Sequence, residues 1–357
     1  MPTLLKDLET LCGLFGPSGF ENEVRDYVKE QLTAAGYTPI TDAVGNIMVE
    51  VGDKNSPYTL LIEAHMDEVG MMITEIEENG LLRFGCVGGI DPRVLCGKRV
   101  TVRGKDKNNI LGVIASKPIH LQSREERQRV TPADSMYIDI GVSSREEAEA
   151  LLDLGDFATF ESAFEVYGDP AVKIKAKAID DRLGCAIMLH ALLKMKQENI
   201  SLPYRLAMSF GVREEVGFSG AKPMTFRVRP THAIVLESTA IADLADVPKA
   251  SRVADQGNGG ALSLADNGTI YNRSMIAFAE HTAKQHSIPV QVKRYVSGGN
   301  NAKHIQQSVG GAKVLALSAP TRYLHSAACV ADLRDCEAME NLIWEMLMAF
   351  SNHADLL

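Results

Sequence analysis

The feature that most constrains this chain is a change of pattern in its middle. Up to residue 70, and again from 166 onward, helix-type and strand-type periodicities alternate, whereas residues 71–165 read as short strands separated by turns. In the first stretch, Val24, Tyr27, Val28 and Leu32 share one face of a helix predicted over residues 21–35. Ser18 with Glu21 reads as its capping box and Gly36 as its stop. Residues 47–51 and 59–64 read as strands, and Leu60-Leu61-Ile62 has the apolar continuity of a strand buried on both faces. In the middle stretch, Glu78-Asn79-Gly80 and Lys107-Asn108-Asn109 mark hairpins, and only residues 145–154 suggest a helix. Afterwards helices are predicted at 182–197, 272–286 and 337–351, and strands at 205–212, 233–236, 290–294 and 313–317. The two flanking pieces share one grammar. The pattern therefore predicts an α/β domain with a mixed central sheet flanked by helices, built from residues 1–70 and 166–357 and interrupted by a β-rich insert, 71–165.

Composition narrows the function. With 37 Lys and Arg against 46 Asp and Glu in 357 residues, the formal charge is −9, which argues against nucleic acid as a partner. No apolar run approaches the ~18 residues of a membrane span, and Lys6, Asp7 and Glu9 break any leader-like apolar start. The six cysteines contain no C-x-x-C pair and read as small buried reduced thiols, so the expected compartment is the cytoplasm.

The chemistry lies where apolar strands end. The strand at 59–64 runs into His65-Met66-Asp67, the strand at 205–212 into Arg213-Glu214-Glu215, and the strand at 233–236 into Glu237. The strand at 313–317 leads to His325, and Asp180-Asp181 opens the helix at 182–197. Ligands of open α/β sheets bind beyond the carboxyl ends of the strands. Taken singly, each feature is ordinary: a DD pair is commonly a helix cap, a Glu pair a solvated turn, and a histidine a loop residue. Gathered at successive strand ends, imidazoles and carboxylates suit zinc, cobalt or manganese. One of Asp180 and Asp181 could bridge two ions, and of Glu214 and Glu215 one could bind metal while the other acts as general base. Asp67 could orient His65.

At these residues the sequence resembles the glutamyl aminopeptidase and tetrahedral aminopeptidase family of dinuclear metallopeptidases. The matching segments are GPSGFE (16–21), AHMDEVG (64–70), SKPIH (116–120), IDDRLGC (179–185), REEVGFSGA (213–221) and RYLHS (322–326), and they span essentially the whole chain. The resemblance implies a zinc-exopeptidase-like fold whose inserted unit serves as a dimerisation domain or lid. It implies a metal-dependent aminopeptidase that removes N-terminal residues from short peptides. His65 and Glu237 would hold one divalent ion, Glu215 and His325 a second, and Asp180, ranked before Asp181, would bridge them. Glu214 would be the general base for a metal-activated water, Asp67 would support His65, and the Asp180–Asp181 peptide would be cis. Zinc is the first expectation for both ions. The resemblance also implies a homo-oligomer, commonly a tetrahedral dodecamer, with His120 as a residue that could approach a neighbouring site.

Two departures stand out. The family typically carries Asp at the position of Glu237, and Thr-Asp where this chain has Asn300-Asn301, so a negative charge near the substrate is absent. The second departure keeps open a hydrolase of another amide, such as an N-acyl amino acid or an amidated sugar. A catalytically silent scaffold is the alternative outside enzymes. A glycosidase is disfavoured because the single tryptophan, Trp344, falls in a helix and leaves no aromatic sugar platform. The glycine-rich run at 257–260 reads as a flexible loop.

Overall fold

In the computed structural model, which describes residues 3–357, the apolar runs assemble into an eight-stranded mixed sheet. Its centre is four parallel strands in the order Arg205–Gly211, Thr59–His65, His232–Ala240 and Lys313–Thr321. All seven residues of Thr59–His65 are buried, as expected for a strand covered on both faces. One edge is extended by the antiparallel strand Ile47–Gly52 and the short Ile40–Thr41. The other is extended by Gly260–Leu262, antiparallel to Lys313–Thr321, and by Val290–Val292.

Two glycines show what covers each face. A Cβ on Gly184 would lie 2.8 Å from the Ala64 side chain, so the helix Ile179–Gln197 sits tightly on the Ala64 face. A Cβ on Gly211 would collide with the Glu63 carboxylate and approach the Asn301 amide. Glu63 points opposite to Ala64, so the short helix Ala302–Ile305 and its Asn301 cap cover the other face. With the parallel strands running the same way, His65, the turn after Gly211, Glu237 and the segment after Thr321 all emerge along one edge of the sheet.

The β-rich stretch closes on itself. Strands Gly70–Ile76, Leu82–Val87, Tyr137–Asp139, Asn109–Ala115, Arg99–Arg103 and Phe157–Phe160 form a barrel with its own core, which includes Met71, Ile73, Phe84, Val100, Ile114, Ile138 and Phe160. Closure removes the exposed edges of a small sheet. Both expected hairpins are present as antiparallel pairs. A small sheet of Glu165–Tyr167, Lys173–Ala176 and Cys329–Asp332 follows the barrel.

Several local expectations fail for physical reasons. The helix Asn22–Ala34 ends at Gly36 as expected, but Ser18 and Glu21 form no capping box: both side chains are spent on tertiary contacts. A helix at Leu4–Gly13, capped by Thr3, was not anticipated, although Leu4, Leu8 and Leu11 share its buried face. The glycine run is pinned rather than flexible, because the Gly257 and Gly259 amides donate to the Asp335 carboxylate at 2.8 and 2.7 Å. Four cysteines are buried, but Cys86 and Cys96 are exposed on the barrel side, and all six are free. Among the described residues no helix is long and apolar enough to cross a membrane.

Candidate metal centre

The sheet edge gathers the polar residues singled out above. His65 is the last residue of its strand and almost fully buried. Its Nε2 lies 3.4 Å from Asp180 Oδ1 and 3.9 Å from Glu237 Oε2. On the far side of the same aspartate, His325 Nε2 lies 3.3 Å from Asp180 Oδ2 and 3.2 Å from Glu215 Oε1. One carboxylate thus stands between two imidazoles, each with a further carboxylate beside it. Three ligand sets have donor atoms within 4.8 Å of one another: His65–Asp180–Glu237, Asp180–Glu215–His325 and His65–Glu214–Glu215.

The two aspartates of the DD pair have separate tasks. The peptide between them is cis, and their φ and ψ are not helical. Asp181 turns inward and accepts the Gly184 N–H at 3.1 Å, which is capping work, while Asp180 faces both histidines.

Main-chain carbonyls orient both imidazoles. His65 Nδ1 lies 3.0 Å from the Asp67 carbonyl oxygen, and His325 Nδ1 lies 2.7 Å from that of Gly89, in the loop that follows the barrel strand Leu82–Val87. Each Nε2 is thereby left facing the carboxylates. The support expected from Asp67 comes mainly through its backbone. Its carboxylate lies 3.4 Å from His65 Nδ1 but accepts the amides of Glu214 and Glu215 and the hydroxyl of Ser18.

The electrostatics describe a cluster short of positive charge. Burial, reinforced by neighbouring carboxylates, pushes Glu214 and Glu237 well above the usual carboxylate range, with His65 opposing. Burial also raises Glu215, against the pull of His325. Burial would lower both histidines, but the carboxylates override it: His65 is held well above its ordinary value and His325 is raised to about 11. Three buried oxygens, Asp180 Oδ1, Asp181 Oδ2 and Glu237 Oε1, have no hydrogen-bond partner. Orphaned carboxylate oxygens are costly to bury. Two imidazoles among carboxylates with unfilled oxygens form a donor set that fits divalent zinc, cobalt or manganese.

The cluster opens into a cleft of about 380 Å³ lined by Phe218, Asp266, Lys293, Asn300 and Leu324 among others. Sequence reasoning missed Asp266 and Lys293, which lie in loops that no local pattern connects to the strand ends. The Lys293 ammonium donates to the Ser297 carbonyl at 2.8 Å, and burial lowers its pKa against the pull of Asp266 and Glu237. The two asparagines also part company. Asn300 lines the cleft and bonds Tyr271, whereas Asn301 turns under the sheet to donate to Glu63 at 2.8 Å. Only Asn300 bears directly on what occupies the cleft. His120 is exposed in the barrel unit and is not among the residues that line this cleft.

Comparisons with known proteins agree with this architecture. A putative aminopeptidase, FrvX, of Escherichia coli K12 is 33% identical over 337 residues, 94% of this chain and 92% of that protein. The TET aminopeptidase from a marine sediment Thaumarchaeota archaeon superposes with a TM-score of 0.92 at 33% identity, covering 96% of this chain and 95% of that one. The Pyrococcus horikoshii TET1 peptidase, which can assemble into a tetrahedron or a large octahedral shell, superposes with a TM-score of 0.85 at 32% identity, covering 97% and 99%. The sequence profile of the M42 glutamyl aminopeptidases matches residues 45–342. The chain belongs to the M42 glutamyl aminopeptidase family and is a peptidase.

Proposed function

We propose that this protein is a metal-dependent aminopeptidase that removes N-terminal residues from short peptides. His65, Asp180 and Glu237 would hold one divalent ion and Asp180, Glu215 and His325 a second, with zinc as the best-fitting metal and cobalt or manganese as substitutes. The observation that carries this reading is the position of Asp180, whose two carboxylate oxygens face two different histidines at 3.4 and 3.3 Å. Two ions held there would lower the pKa of a water and polarise the scissile carbonyl.

The chain's own residues do the rest. Glu214, a neighbour of both His65 and Glu215 but not a partner of Asp180, accepts the proton of the attacking water and returns it to the leaving amine. Gly89 and Asp67 hold the imidazoles in register through their carbonyls. Asp266, Lys293 and Asn300 contact the substrate beyond the scissile bond.

The assembly of the Pyrococcus relative supports a homo-oligomer here, with a tetrahedral dodecamer as the specific proposal. In that reading residues 1–70 and 166–357 form the catalytic domain and residues 71–165 the dimerisation or lid domain, whose loop at Gly89 already reaches the site. Six free thiols support a cytoplasmic location. The test is Glu214→Gln. Its zinc content, measured after dialysis, should stay near wild type while aminoacyl-anilide hydrolysis falls by roughly 10²–10⁴-fold. Normal turnover in that variant removes the assignment.

A further inference from the structure

Three consecutive amides after the strand Arg205–Gly211 are held by two buried carboxylates. The Arg213 N–H donates to Glu21 Oε1 at 3.2 Å, the Glu214 N–H to Asp67 Oδ1 at 3.0 Å, and the Glu215 N–H to Asp67 Oδ2 at 3.1 Å. Glu21 also accepts the Gly19 N–H at 2.7 Å, and the Ser18 hydroxyl donates to Asp67. The GPSGFE segment, which no step of the reaction uses, is thus one jaw of a clamp on the turn that carries Glu214 and Glu215.

The turn needs holding. Arg213 sits at φ 56°, in the left-handed region that is unfavourable for a residue with a Cβ. A carboxylate as buried as Glu21, only 3% exposed, is ordinarily paired with a cation, yet its hydrogen bonds here run to main-chain amides. It therefore contributes geometry more than charge neutralisation.

We infer that Glu21 is a positioning residue for peptide hydrolysis: by accepting the Arg213 amide beside the two amides held by Asp67, it fixes the backbone that aims the Glu214 carboxylate. The inference rests on Glu214 being the base. A base must lie within hydrogen-bond reach of the proton it takes, and misplacement of about 1 Å can cost ~10²-fold.

The experiment compares Glu21→Gln, Glu21→Asp and Glu21→Ala in zinc-loaded protein, with Glu214→Gln in parallel. Gln keeps an acceptor oxygen at the same reach, Asp keeps the charge but falls a methylene short, and Ala removes both. In the Asp and Ala variants kcat should fall about 10–100-fold, with KM within about twofold of wild type and zinc stoichiometry unchanged. Amide hydrogen exchange across residues 213–216 should speed up in those two and stay slow in the Gln variant, whose kcat should approach wild type. If the Ala variant does not fold, the Gln and Asp pair decides alone. Wild-type kcat in the Asp variant overturns the inference, as does a kcat loss in Asp or Ala that zinc loss accounts for. A Gln variant no better than Asp overturns it too, because charge and not the amide contact would then matter. Unchanged turnover in Glu214→Gln instead removes the base assignment on which it rests.

Discussion

Two buried charged clusters lie side by side behind the sheet edge, and they are finished in opposite ways. In the first, Glu68 Oε1 accepts Lys177 Nζ at 2.6 Å, the Gly16 amide at 3.2 Å and Arg182 Nη2 at 3.4 Å, while Oε2 accepts the Thr159 hydroxyl at 2.8 Å. Arg182 further donates to the carbonyls of Met66, Leu11 and Gly16, and Lys177 to that of Leu14. No atom of these three side chains is left without a partner. In the second, built on His65, Asp180, Glu214, Glu215 and Glu237, carboxylates outnumber imidazoles and oxygens of Asp180 and Glu237 are orphaned. The chain can satisfy a buried carboxylate completely, as it does three residues after His65. Unsatisfied neighbours are what the proposed metal site requires, a cluster to be completed from outside by cations, with the finished cluster as its frame.

The largest effect is expected from breaking the finished cluster. Glu68→Ala leaves Lys177 and Arg182 buried without their carboxylate and should destabilise the fold by about 3–5 kcal/mol. Urea unfolding should show the same loss with and without zinc, since the frame exists before metal binds. A loss confined to the zinc-loaded protein would show that the two clusters are not distinct in this sense.

A smaller and opposite effect is expected in the unfinished cluster. Glu237→Gln removes a buried negative charge whose Oε1 has no partner. Metal-free Glu237→Gln should therefore melt at a higher temperature than metal-free wild type. Its zinc affinity should fall about 10–100-fold, which is about 1.4–2.7 kcal/mol. Calorimetry in chelator, followed by zinc titration, separates the two. A lower melting temperature in chelator would mean that the cluster is complete without metal.

The difference between the clusters also explains what could be read from the sequence. Polar residues at the ends of apolar strands are visible because they break a hydrophobic pattern, and parallel strands must deliver their ends to one edge. That logic reaches His65, Glu214, Glu215, Glu237 and His325. It does not reach Glu68, Lys177 and Arg182, because their partners are mostly backbone carbonyls and amides, which sequence does not display. It misreads Ser18 and Glu21, whose local capping spacing loses to tertiary demand: the amide that Glu21 accepts lies 192 residues away. The middle region could be read as strands and hairpins because hairpin signals are local. Its closure into a barrel could not, since that depends on Phe157–Phe160 pairing with Gly70–Ile76 and Arg99–Arg103 across long stretches of chain.

A third buried cluster, farther from the cleft, falls between these two extremes and gives the mildest test. His190 lies 2.6 Å from Asp7 through Nε2 and 2.8 Å from Glu340 through Nδ1, and Tyr27 donates to Asp7 at 3.0 Å. Burial would lower the His190 pKa, but the two carboxylates outweigh it and raise the value to about 9. Here a proton on the imidazole, placed between two carboxylates, completes the cluster. The unfolded histidine titrates near 6.5. The stabilisation is thus fully present below about pH 6.5 and is lost as pH rises through about 9, because the folded state holds the proton more tightly. Glu340 is 30% exposed, so solvent screening reduces the effect to about 1–2 kcal/mol. The urea midpoint of the metal-free protein should fall between pH 7 and about 9.5, and His190→Gln should flatten that part of the profile. An unchanged slope in His190→Gln would assign the loss to other groups. A cluster that depends on one proton should therefore lose its contribution over about two to three pH units.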